Sequence, residues 1–149
     1  MVAMDDATNV NSSAPIEVLG ERSFPAVVSS LRGVRAFIRA LSEAVFDDDT
    51  RLGDITLATG ELATNAIEHG TGGELFVSAA SSQQQFIVEV TSYGNHLDWN
   101  GERQPNDQVS GRGLLIVSTL ADSMEIENSP GTVLVRCTFG REPRTTATL

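Results

Sequence analysis

The run from Thr50 to Gly70, TRLGDITLATGELATNAIEHG, does most to limit what this chain can become. Leu52, Ile55, Ala58, Leu62 and Ala66 recur at three- and four-residue spacing, the period of a helix that buries one face. Gly70 supplies the stop. Glu61, Asn65 and His69 fall at i, i+4 and i+8, so they form a second, polar line along the same helix. The two lines overlap, because Glu61 adjoins Leu62 and Asn65 adjoins Ala66. A carboxylate and a carboxamide beside an apolar stripe are costly to desolvate without partners. Either they lie on a solvated rim, or they line a pocket whose ligand partners them.

The segments around this helix set the fold class. Residues 1–15 are Asp/Asn/Ser/Ala-rich and aperiodic, which reads as a loose tail. Ile16–Phe24 suits a strand. Ser29 or Ser30 suits an N-cap for a helix over Ser30–Val45, with Leu31, Val34, Phe37, Ile38, Leu41 and Val45 at helical spacing. Asp47-Asp48-Asp49 breaks the chain and favours the dipole of the next helix, Thr50–His69. Gly70-Thr-Gly-Gly73 is a turn cluster, followed by alternating strands at Glu74–Ala80 and Gln85–Thr91. Tyr93–Ser110 is a polar loop of 18 residues, a length at which loops are functional lids or disordered. A helix opens at Gly111-Arg112-Gly113 and runs to Leu120, and Met124–Glu127 and Val133–Phe139 form a hairpin around Asn128-Ser-Pro-Gly131. The expected fold is α+β, a two-layer sandwich in which a mixed, mainly antiparallel sheet of four or five strands carries three helices on one face. One domain, 16–140, is expected, with a second frayed tail at 141–149.

Composition removes several function classes. The formal charge of −10 argues against a nucleic-acid surface, which needs clustered cations. No apolar run approaches a bilayer span, and the first residues lack the regions of a secretory signal. The single Cys137 cannot form an internal disulfide, so a cytoplasmic location is expected, with no membrane and no nucleic acid as partner.

Three features converge on a nucleotide. A Gly111-x-Gly113 turn at a helix start exposes N–H groups and a positive dipole end to phosphate. A long loop before it can close over a ligand. A carboxylate and a carboxamide one turn apart, Glu61 and Asn65, can supply a base and a magnesium ligand.

With these residues in view, Glu61-x-x-x-Asn65-Ala-x-x-His69-Gly70 resembles the N-box of the GHKL ATPase and kinase superfamily, and Gly111-Arg-Gly-Leu114-x-x-Val117 resembles its second glycine box. Within that superfamily the chain is similar to the stand-alone anti-sigma-factor serine kinases of bacteria. Ser30, Arg32, Arg35 and Phe37 in the first helix and Leu120-Ala-Asp122 after the glycine box also look like that branch. The resemblance implies the histidine kinase-like ATPase fold over about Phe24 to Phe139. It makes Glu61 the general base, Asn65 the ligand of Mg2+ on ATP, and Gly111, Arg112, Gly113 and Leu114 the phosphate-binding turn. It gives His69 a structural role and sets Thr132, in Gly131-Thr-Val, beside the adenine. It further implies that Glu61 and Asn65 face one cavity with Gly111 and Gly113 on its opposite wall.

One departure matters. Where the family's first glycine box has Asp-x-Gly-x-Gly, this chain reads Ser92-Tyr93-Gly94-Asn95-His96. Ser92 stands for the aspartate that accepts from the adenine amino group, Gly94 is kept, and His96 replaces the second glycine. A neutral hydroxyl accepts about 1–2 kcal/mol less strongly than a carboxylate. Two readings follow. In one, the chain is an ATP-dependent protein serine/threonine kinase that binds a sigma factor and phosphorylates an anti-anti-sigma (STAS-type) protein, with homodimerisation left open. In the other, it is a degenerate member that regulates by protein binding with little or no nucleotide.

Overall fold

The computed structural model describes residues 15–99 and 108–141. The expected tails, except for residues 15 and 141, and the middle of the expected lid lie outside the described residues. The elements in chain order are β1 (Glu17–Pro25), a 3-10 turn at Val28–Ser30, α1 (Leu31–Glu43), α2 (Asp49–His69), β2 (Gly70–Ser81), β3 (Gln85–Gly94), α3 (Gln108–Leu120), β4 (Ser123–Ser129) and β5 (Thr132–Gly140). The strands make one sheet in the order β1-β2-β3-β5-β4. All of its pairings are antiparallel, so the described sheet has none of the parallel component that "mixed" allowed for.

Alternation builds the two layers. Along β3, Phe86, Val88, Val90 and Ser92 are buried, while the residues between them are more exposed. Their neighbours across the ladder, Phe139, Cys137, Val135 and Val133, are buried too. Val34 and Ile38 of α1, Ile55, Ala58 and Leu62 of α2, and Leu114 and Val117 of α3 complete one core over that face. Each large aliphatic or aromatic side chain buried here is worth roughly 1.5–3 kcal/mol. The long helix read from the sequence lies in the middle of the helical layer, against both α1 and α3 and over β2 and β3.

Several boundaries differ from the sequence reading, each for a local reason. Ser30 has helical backbone angles and makes no side-chain cap, because the 3-10 turn already leads into α1. Asp48 is the working cap of the next helix, accepting from the Thr50 N–H at 3.0 Å. The glycine cluster after His69 is not a free turn. It is an irregular stretch of β2, in which Gly70 pairs with Gly94 and Leu75 with Ser92, leaving four residues opposite Tyr93 alone. Gly72 and Gly73 take positive φ there, as glycine can without strain. The β4–β5 hairpin turns tightly on Pro130-Gly131, with Gly131 at φ +80°. Helix α3 starts at Gln108, so Gly111 and Gly113 lie within it and do not form a turn ahead of it.

The opposite sheet face is open and partly charged. Arg136 stands in its middle and donates to Glu89 at 2.7 Å, Glu125 at 3.0 Å and Glu127 at 2.9 Å. These carboxylates, chiefly Glu89, hold the guanidinium pKa above its ordinary value. Phe76 and Tyr93 pack edge to face on the same open side, 5.8 Å apart, and both are exposed.

Candidate nucleotide site

Helix α2 delivers its two chemically distinct residues to different surroundings. Asn65, in the last turn and a half, is only 6% exposed. Its Nδ2 is buried with no hydrogen-bond partner among the described residues. Such an orphan costs on the order of 1–3 kcal/mol unless something else satisfies it. The carboxamide opens on a cavity of about 160 Å³ whose helix side is Asn65, Ala66, His69 and Gly70. Its sheet side is Ser92, Gly94 and Val133, and Asn95, His96 and Leu97 close it. An apolar cavity of roughly 150 Å³ accommodates one benzene ring. This space therefore suits the ring system of a base, with the remainder of a nucleotide extending out of it.

Glu61, one turn earlier and half-buried, is not part of that wall. Its Oε1 lies against α3, where a Cβ built on Gly113 would stand 3.0 Å away. A side chain at 113 would push the carboxylate aside, so glycine leaves the Glu61 carboxylate its place in the seam. The expected common cavity is thus divided. Glu61 and Gly113 share the α2–α3 seam, Asn65 faces the base-sized space, and Gly113 is not among the described residues that line it. Of the others in that box, Leu114 is 3% exposed and belongs to the core, and Arg112 is exposed beside Leu115 and Ile116.

Ser92 is 8% exposed and faces the cavity from β3, as its alternation with Val88 and Val90 requires. Thr132 does not join it. In the ladder Thr132 stands opposite Tyr93 on the open face, while Val133 stands opposite Ser92 and takes the cavity position. A period of two leaves no choice: if Val133 and Val135 enter the core, Thr132 cannot. His69 is exposed at the end of α2 and also borders the cavity.

The sequence reading missed what closes the space. After Gly94 the chain leaves the sheet, and Leu97 is held by Asn128 of β4, which accepts from the Leu97 N–H at 2.9 Å and donates to its carbonyl at 3.1 Å. His96 pairs with Asp98 at 2.7 Å, both exposed. The alternation of Met124, Ile126 and Asn128 along β4 sets the carboxamide on the helix-bearing side, but Asn128 is exposed there, so the sequence carried no signal that it needs a partner.

Residues 24–139 match the model of the histidine kinase-like ATPase domain. The chain belongs to that family. A curated relative, the serine-protein kinase RsbW of Halalkalibacterium halodurans, is 24% identical over 135 residues, which cover 80% of this chain and 82% of the relative. Among solved structures, the RsbU and RsbW domains of a Mycobacterium tuberculosis protein superpose with a TM-score of 0.61 at 21% identity. That match covers 86% of this chain but 35% of the other, so this family member spans about a third of that two-domain structure. The SiaB–SiaC complex of Pseudomonas aeruginosa gives the same TM-score of 0.61 at 13% identity, covering 93% and 98% of the two chains. At these identities the two structures bear on the fold, and they agree with three helices over a five-stranded antiparallel sheet.

The residues present suit a nucleotide and its metal. Rotating the Asn65 carboxamide presents either an amide N–H or a carbonyl oxygen to the cavity, and Mg2+ asks a protein for one or two oxygen ligands, the others being phosphate and water. No group of three or more His, Cys, Asp or Glu able to hold a metal alone occurs among the described residues.

Proposed function

We propose that this protein is an ATP-dependent protein serine/threonine kinase acting as an anti-sigma regulator in the cytoplasm. It binds a sigma factor and phosphorylates an anti-anti-sigma partner of the STAS type. The observation that carries the reading is the buried carboxamide of Asn65, whose Nδ2 has no partner among the described residues, opening on a base-sized cavity with Ser92 and one helical turn from Glu61. Family membership and likeness to a relative named as a serine-protein kinase support it.

In this reading Ser92 accepts from the exocyclic amino group of the base, and Asn65 supplies an oxygen to Mg2+. The metal's contribution when bound is to neutralise phosphate charge. Glu61 takes the proton of the incoming serine hydroxyl as that oxygen bonds to the terminal phosphorus. The bond from phosphorus to the bridging oxygen breaks, and ADP departs with the electron pair. Gly113 keeps α3 close enough to enclose Glu61 without a side chain intervening.

The test is transfer of labelled terminal phosphate from Mg-ATP to a purified STAS-type partner. Glu61→Gln should abolish transfer and leave partner binding intact, whereas Asn65→Ala should remove metal-dependent nucleotide affinity. Transfer that survives Glu61→Gln would refute the assignment of the base. The observation favouring the second reading, a non-catalytic protein-binding regulator, is Ser92 itself, a neutral group where the family carries a charge. In that case ATP binding is absent while partner binding persists.

A further inference from the structure

We propose that Asn128 is a positioning residue of the nucleotide site, fixing Leu97 as the wall against which the base rests. This rests on the nucleotide reading above and goes beyond it, because the residue lies outside both glycine boxes and the helix of Glu61 and Asn65.

A single side chain here takes the part of a strand. Gly94 ends β3, and its N–H already donates to the Gly131 carbonyl at 3.0 Å. Three residues later, the carboxamide of Asn128 satisfies both main-chain groups of Leu97, across 31 residues of sequence. A carboxamide carries donor and acceptor side by side, so it pairs with a residue's N–H and C=O much as a neighbouring strand would. Asn128 stands opposite Val133, and Val133 stands opposite Ser92, so the three form one row across the sheet on its helix-bearing face. That row places the clasp at the sheet's edge, beside the cavity that Ser92, Val133 and Leu97 line together. Leu97 also packs on the hydrophobic core, so fixing its main chain fixes an apolar surface. The His96–Asp98 pair, also solvent-exposed, joins two residues of the same segment and so does not tie it to the sheet, whereas the clasp, exposed as well, reaches across to β4.

The role is therefore specific to the base. A ligand that carries the phosphates without a base should ignore Asn128. Calorimetric titrations with Mg-ATP and with Mg-tripolyphosphate, on wild type, Asn128→Ala and Asn128→Asp, would read this directly. Hydrogen exchange at the Leu97 amide in the absence of ligand gives a second readout. Asn128→Ala should weaken ATP about tenfold, the loss expected of roughly one net hydrogen bond's worth of ordering. It should leave tripolyphosphate affinity unchanged and speed Leu97 exchange by about tenfold or more. Asn128→Asp keeps the acceptor for the Leu97 N–H and loses the donor, so its Leu97 exchange should stay closer to wild type while ATP affinity falls between the other two. Equal weakening of ATP and tripolyphosphate would overturn the proposal in favour of a general folding defect. Unaltered ATP affinity in Asn128→Ala, with wild type binding ATP, would overturn it alone. Wild type binding neither ligand would sink the nucleotide reading, and this assignment with it.

Discussion

Replacing Ser92 by aspartate puts a carboxylate on the cavity wall, where the hydroxyl is now 8% exposed. On β3 the side chain stands in register between Leu75 of β2 and Val133 of β5, both apolar and both buried. No cation from those neighbours is available to the new charge, and among the described cavity residues only His69 and His96 are titratable. With the base bound, the exocyclic amino group becomes the partner. A charged acceptor is worth roughly 1.5–3 kcal/mol against about 0.5–1.5 for a neutral one, a gain of about 1–2 kcal/mol. That gain corresponds to a roughly five- to thirtyfold lower Kd for ATP. The free variant should be less stable by a few kcal/mol, because it buries a charge that only the ligand satisfies. Calorimetry should therefore show tighter ATP binding, and thermal unfolding should show a lower Tm that ATP largely restores. GTP, which presents a carbonyl where ATP presents its amino group, should bind more weakly than to wild type. Wild-type binding of ATP that Ser92→Asp weakens would refute the placement of the base against residue 92.

Gly113→Ala should slow phosphoryl transfer sharply, because the added methyl would stand 3.0 Å from Glu61 Oε1 and displace it. The same change should keep or raise the Tm, since alanine is favoured over glycine inside a helix by up to about 1 kcal/mol; parallel losses of rate and stability would refute it. Arg136→Leu should cost about 1–2 kcal/mol in denaturant unfolding, as three clustered carboxylates, each partly exposed, lose their shared cation. Burial pushes the Cys137 thiol up from 9.0 to about 12. Its contribution is complete below the unfolded value and is lost as pH rises from about 9 towards about 12, with a slope of roughly 1.4 kcal/mol per unit. Cys137→Ala should flatten that alkaline slope, which urea titrations between about pH 8 and 11 would check.

The helices and strands were legible because their burial is periodic. Leu52, Ile55, Ala58 and Leu62 are buried as their spacing demanded, and so are Val88 and Val90. Asn65 was legible as a residue needing a partner, since a carboxamide next to an apolar stripe loses its water on one side and must replace it. Local pattern falls short where tertiary contacts override it. The Gly111-x-Gly113 pair looks like a turn in isolation, but the helix runs back to Gln108 and both glycines lie within it. Thr132 was assigned from its motif, and one residue of register against Tyr93 turns it outwards. The clasp between Asn128 and Leu97 spans 31 residues, and nothing within either segment announces the other.

Gly70 joins α2 to β2 with no linking residue between them, and a Cβ there would lie 2.5 Å from the Ala66 carbonyl oxygen and 2.8 Å from that of Tyr93. The helix bearing Glu61 and Asn65 is thus hinged to the sheet at a joint with no slack, wedged against the strand that carries Ser92. Gly70 is itself on the cavity wall, and the irregular stretch of β2 that follows it lets the outer strands move without dragging this joint. Gly70→Ala should therefore act locally, spreading the joint and shifting Asn65 relative to Ser92, with ATP affinity and stability falling together.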